Sequence, residues 1–200
     1  MITSKSLSDS EMVQINDLIL KNSEDLISTI ENLVDIAHLS TNQYDVRKTK
    51  FELSEVLESI FKKTEDNVIY KHKKDVKLEL KKNDLIEIYS DKTIITKILQ
   101  QLVKNAILFT QKGFITLGYN IDKSNVIIFV KDTGIGISQE KIDIIFSPFR
   151  NAEENINIKV GGTGLGLTIV NEFMQIIGGK IWVGSELKKG TTFYVSLPVN

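Results

Sequence analysis

Apolar residues recur in steps of three and four over residues 9–40, at Met12, Ile15, Ile19, Leu26, Leu33 and Ile36, with Asn22 and Thr29 in the same series. Leu18, Ile30, Val34 and Ala37 widen the stripe, and no Gly or Pro interrupts it. The mean step of about 3.5 residues is that of a bundle or coiled-coil seam, so the spacing predicts one long helix. Ser8 or Asp9 can cap its start, and Glu11 suits the positive end of the helix. Thr41-Asn-Gln-Tyr-Asp45 reads as a connector. Such a helix cannot bury its stripe alone, and the expectation is a partner helix, either from chain outside this sequence or from another subunit.

Beyond Tyr44 the period changes. Residues 50–53 read as a short strand, and 54–64 as a helix with Val56, Leu57, Ile60 and Phe61 inward. Residues 76–80 and 85–89 alternate like half-buried strands. Asp91 opens a strong helix to Phe109, with Ile94, Ile95, Ile98, Leu99, Leu102, Val103, Ala106 and Ile107 on its apolar face. Residues 114–120 and 125–131 form a strand pair around Asp122-Lys-Ser, and a helix over 138–145 ends before Ser147-Pro148. Residues 151–162 are polar and aperiodic. Residues 163–177 are helical and stop at Gly178-Gly179, and 180–185 and 191–197 read as closing strands. Strands with interleaved helices on one face predict an α+β chain, a two-layer α/β sandwich preceded by one long N-terminal helix. The expected division is a partial domain over 1–44 and a second domain over 45–200.

Composition narrows the chemistry. The 200 residues are 42% apolar and 26% charged, enough for a real core. With 25 basic against 26 acidic residues, the net charge of −1 gives no basic footprint for nucleic acid or an anionic membrane. There is no Cys, which excludes disulfides and thiolate chemistry, and the two His, His38 and His72, cannot build a His-rich metal site. The longest apolar run, from Val126 to Val130, is far short of the ~20 residues of a membrane span. The first residues lack the apolar stretch of a signal peptide. The expectation is a soluble, cytosolic chain.

Three segments carry candidate chemistry. The first is Asn105, late on the 91–109 helix, in Gln101-Leu-Val-Lys-Asn-Ala-Ile-Leu-Phe-Thr110. The second is Asp132-Thr-Gly-Ile-Gly-Ile137, directly after an apolar strand, and the third is Gly161-Gly-Thr-Gly-Leu-Gly-Leu167, opening a helix. Alone, each has a plain structural reading: a polar residue near a helix end, a tight turn, a Gly-rich helix start. The glycine run is not a phosphate loop of the Lys-Ser/Thr kind, because no Lys follows it. A polar loop rather than a strand precedes it, so it fails the dinucleotide fingerprint as well.

In this order the three resemble the ATP-binding domain of sensor histidine kinases, within the wider family of gyrase B, Hsp90 and MutL. The resemblance spans residues 51–198 and includes Ile145-Phe-Ser-Pro-Phe149 and the closing Gly190-Thr-Thr-Phe193 with Leu197-Pro198. It implies the Bergerat-type fold, a mixed sheet covered by helices on one face. It implies ATP and Mg²⁺ as cofactors, with Asp132 accepting from the adenine amine and Asn105 holding the metal. Gly134 and Gly136 would let the backbone approach the base. Gly162, Thr163, Gly164, Leu165 and Gly166 would present a helix start to the phosphates. Lys159, Phe149 and Thr192 join the implied nucleotide-binding set, and the polar segment before Gly162 would be a lid.

The chain departs from that pattern in several places. Gln101 stands where hydrolysing relatives carry a Glu and histidine kinases usually an Asn, which leaves no general base and no catalytic side chain to name. Leu108 and Ile158 stand where kinases often carry cations. Neither His38 nor His72 has the context of a phosphoacceptor. The 9–40 helix instead resembles the second helix of a dimerisation hairpin, so a fragment lacking the acceptor His is expected, unable to phosphorylate itself. The resemblance implies a homodimeric parent that passes phosphate to a response regulator and touches a membrane only through upstream parts. The competing reading is a non-catalytic nucleotide-binding or scaffolding module.

Overall fold

The computed structural model describes residues 8–41, 44–67, 73–81, 85–147 and 164–199. The first helix, α1, is Asp9–Ser40, and a capping box settles its start at Ser8. Ser8 Oγ accepts from the Glu11 amide at 3.3 Å, while the Glu11 carboxylate accepts from the Ser8 amide at 2.8 Å. Then follow β1 (Thr49–Glu52), α2 (Leu53–Asp66), β2 (Val76–Leu80), β3 (Glu87–Ser90) and α3 (Lys92–Phe109). The chain continues through β4 (Gly113–Asp122), β5 (Asn125–Asp132), the short α4 (Gln139–Ile142), α5 (Gly166–Ile176), β6 (Lys180–Glu186) and β7 (Gly190–Pro198).

Five strands form one mixed sheet in the order β2-β4-β5-β7-β6, with β2 and β4 parallel and the other neighbours antiparallel. β1 and β3 make a separate antiparallel pair. Ile115, Leu117, Ile128, Val130, Phe193 and Val195 project from one sheet face into a core shared with Ile94, Ile98 and Leu102 of α3 and Ile169, Val170 and Phe173 of α5. Helices thus cover one face, as the alternation of the strands requires. On the other face Trp182 and Tyr194 stack with centroids 5.3 Å apart and planes 11° from parallel.

Three expected elements are shorter. β3 begins at Glu87 because its pairing with β1 ends at Glu52↔Glu87. The helix expected over 138–145 holds only for Gln139–Ile142. Beyond it the backbone winds on through turns, with Ile144 N–H donating to Lys141 O and Ser147 N–H to Ile144 O. α5 starts at Gly166, later than the expected 163.

The ends of α3 are fixed by charges of the appropriate sign. Buried Asp91 accepts from the Thr93 and Ile94 amides on one oxygen and from the Arg47 amide, at 2.8 Å, on the other. At the C-terminal end the Lys73 ammonium donates to the carbonyl of Thr110 at 2.6 Å.

α1 lies on this domain by a face that its sequence pattern does not favour. Met12, Ile15, Ile19, Leu26 and Leu33, the heart of the apolar stripe, are between 41% and 62% exposed. Only Ile36 and Leu39, near its C-terminal end, pack against the core. Among the described side chains of α1 those that are buried are polar, Asn32 at 6% and Asp35 at 8% exposure.

Candidate functional site

Asp132 closes β5 on the inner face, in line with Val126, Ile128 and Val130, and is only 5% exposed. Its Oδ1 accepts from the Gly134 amide at 2.8 Å and the Thr191 amide at 3.2 Å. Burial pushes its carboxyl up to about 6, against the pull of these two N–H donors. Both bonds use Oδ1, which leaves Oδ2 to receive an N–H from a ligand.

Glycine is required in the loop that follows. Gly136 has φ +71, and a Cβ there would lie 2.0 Å from the Glu186 carbonyl oxygen; at Gly134 one would lie 2.3 Å from that of Phe109. The loop is bonded on two sides. Ile135 N–H donates to Phe109 O at the end of α3, and Lys188 N–H donates to Ile135 O at 2.7 Å. Ile137 N–H donates to Ser185 Oγ at 2.8 Å, and that hydroxyl lies 2.9 Å from Thr191 Oγ1.

These bonds hold the end of α3 against the Asp132 loop and bring half-buried Asn105, one turn before Phe109, to the same region. Gln101 lies one turn earlier still. A Cβ on Gly166 would come within 3.0 Å of Gln101 Oε1, so the start of α5 faces the same side of α3. Gly164, at φ +68, turns the chain into that start, and Leu165 is buried beneath it. The structure therefore gathers Asn105, Asp132, Gly134, Gly136, Gly164, Leu165 and Gly166 around the ends of α3 and β5 and the first turn of α5.

Thr192 is not brought to this group. Strand alternation puts its side chain on the outer face, opposite Lys131 in register, whereas Thr191 shares the inner face with Phe193 and meets Asp132. Thr191 and Ser185 were not anticipated, although the buried Phe193 two residues on was a usable signal. Phe149, Lys159, Gly162 and Thr163 lie outside the described residues, as do Ile158 and His72.

Among the described residues no group of three or more His, Asp or Glu could hold a metal. A cation beside Asn105 would therefore draw most of its oxygen ligands from a bound molecule and water, the usual condition of Mg²⁺ on phosphates.

Residues 90–200 match the model of the histidine kinase-, DNA gyrase B-, and HSP90-like ATPase family. The chain is 31% identical over 206 residues to the autoinducer 2 sensor kinase/phosphatase LuxQ of Vibrio vulnificus, covering 98% of this chain and 23% of that protein. Histidine kinase ThkA in complex with response regulator protein TrrA superimposes with a TM-score of 0.67 at 25% identity, over 98% of this chain and 54% of that one. Full-length ShkA in complex with AMPPNP shares the fold, with a TM-score of 0.77 at 24% identity over 97% of this chain and 40% of that one.

Proposed function

This chain belongs to the histidine kinase-, DNA gyrase B-, and HSP90-like ATPase family, and we propose that it is the ATP-binding catalytic part of a two-component sensor histidine kinase. On this reading residues 1–44 are the second dimerisation helix with its connector, and 45–200 are the catalytic domain. The parent transfers the γ-phosphoryl of ATP to a His on another helix and relays it to an Asp of a response regulator. ThkA, a relative whose structure includes a response regulator, supports that partner.

The observation that carries the reading is Asp132. Its buried carboxylate keeps one oxygen outside its two backbone bonds, beside a loop that only glycines allow. An acceptor-only group there takes the exocyclic amine of adenine and repels the carbonyl of guanine. Gly164, Leu165 and Gly166, with Gly162 and Thr163 before them, present N–H groups and the helix dipole of α5 to the phosphates. Lys159 and Phe149 complete the set from the preceding segment.

Asn105 would hold Mg²⁺ through its side-chain oxygen, and the bound ion would neutralise phosphate charge and help orient the γ-phosphoryl. Gln101 carries no basic group, so the site positions a phosphoryl for a protein acceptor rather than activating water.

Titration calorimetry with ATP and Mg²⁺ tests the assignment. Asp132→Ala is expected to lose roughly 1.5–3 kcal/mol of ATP binding, the range for a hydrogen bond to a charged group. Equal affinity of the two proteins refutes the role given to Asp132.

A further inference from the structure

The contact between α1 and the catalytic domain is a ladder of polar pairs. Ser28, Asn32 and Asp35, about one turn apart on α1, meet Lys104, Gln101 and Lys97 of α3 in antiparallel order. Lys104 Nζ donates to Ser28 Oγ at 3.1 Å, Gln101 Nε2 to Asn32 Oδ1 at 2.8 Å, and Lys97 Nζ to Asp35 Oδ1 at 2.5 Å. Burial draws the Lys97 pKa down, but Asp35 and then Tyr44 outweigh it and hold it above the ordinary lysine value. Each of these groups exchanges a bond to water for a bond to protein, so the net gain per pair is small and the contact is readily reversible. The apolar stripe, which would grip more firmly, faces away.

Gln101, the middle rung, is also part of the nucleotide site. Its nitrogen is held by Asn32, and its oxygen faces Gly166 in the first turn of α5. Asn105 follows one turn later on the same helix. With ATP in the place proposed above, its terminal phosphates lie between Asn105 and that first turn. The Gln101 carbonyl carries partial negative charge and competes with a phosphate oxygen for the same positive helix end.

We infer that α1 seating and the binding of terminal phosphates are negatively coupled through Gln101. Seated α1, through Asn32, holds a neutral acceptor where phosphate charge has to come. ATP then loosens α1, and unseating α1 tightens ATP, by the same factor in each direction. Adenosine, which lacks phosphates, is blind to the seat. This inference rests on the ATP-site reading, and its test separates the two.

The double variant Asn32→Ala/Asp35→Ala removes two rungs, releases Gln101 from α1 and replaces no residue of the nucleotide site. Calorimetry with ATP and Mg²⁺, and separately with adenosine, is compared between the variant and the wild type. The variant is expected to bind ATP about fivefold more tightly or better, with adenosine affinity unchanged. Hydrogen exchange on the wild type, which needs no variant, should show faster exchange over residues 28–40 with ATP and no change with adenosine. Equal or weaker ATP binding by the variant, or α1 exchange indifferent to ATP in a protein that binds it, overturns the coupling and leaves the site intact. A wild type that binds no ATP overturns both.

Discussion

Asp132→Asn should make the empty protein more stable while removing its ligand recognition. The carboxyl sits at about 6 in the folded protein, where burial opposes its ionisation, against an ordinary value of 3.8. Between those two values folding takes up a proton, so the stability this group contributes is present in full below about pH 4 and is lost as pH rises to about 6. At about 1.4 kcal/mol per pH unit the loss is about 3 kcal/mol at neutral pH. Asn keeps a carbonyl oxygen for the Gly134 and Thr191 amides and brings no charge, so it escapes that loss. Urea unfolding of both proteins at about pH 7.5 and about pH 4.5 isolates the effect, since the other carboxylates cancel in the difference. The variant is expected to lead by about 3 kcal/mol at the higher pH, and the lead should shrink by about 2 kcal/mol at the lower. A lead that is absent, or that does not change with pH, refutes the claim that Asp132 is held ionised at a cost. The same variant should bind ATP poorly: with its oxygen on the Gly134 and Thr191 amides the Asn presents an N–H toward the adenine amine, and if it turns, its NH2 faces those two backbone donors and only a weaker acceptor reaches the ligand.

Other outcomes follow from the same geometry. Asn105→Ala should reduce the Mg²⁺-dependent part of ATP affinity by about tenfold, near 1.5 kcal/mol, and leave affinity in EDTA unchanged; a loss of equal size with and without the metal contradicts its role. Gly136→Ala should destabilise the fold by about 2 kcal/mol or more, since a side chain is unfavourable at that φ and meets the Glu186 carbonyl; urea unfolding measures it. Incubated with radiolabelled ATP, the chain should gain no acid-labile, base-stable label, because the His38 ring stands edge-on to Tyr44 at the end of α1 with no acid following it. Label on His38 refutes that.

The strands and α3 were legible because each buries one face, and a period of two or 3.6 records that directly. The site was legible where its chemistry needs an unusual residue: an Asp after an apolar strand, glycines that carry no Cβ into Phe109 or Glu186. The seat of α1 was not. Hydrophobic spacing shows which face of a helix is apolar, and Met12 to Leu33 do form that face, but it does not show what lies opposite. Asn32 and Asp35 look like ordinary solvent-facing residues until Gln101 and Lys97 are placed beside them. In the Thr191-Thr192 pair only the inward direction of Phe193 tells which side chain faces the core. The raised carboxyl of Asp132 depends on how completely the loop closes over it, a property of three elements distant in sequence.

The stacked pair on the outer sheet face gives the protein a built-in optical reporter. Trp182 is the sole tryptophan, and Tyr194 rests against it at 5.3 Å, close enough for excitation absorbed by the tyrosine to emerge as indole emission. The two residues belong to adjacent strands and are brought together only by the β6–β7 register, in which they are direct partners. Indole fluorescence therefore reports the integrity of the sheet. The whole thickness of that sheet separates the pair from the Asp132 carboxylate, so an unfolding curve followed by this emission and a binding curve followed by heat come from opposite sides of the same layer.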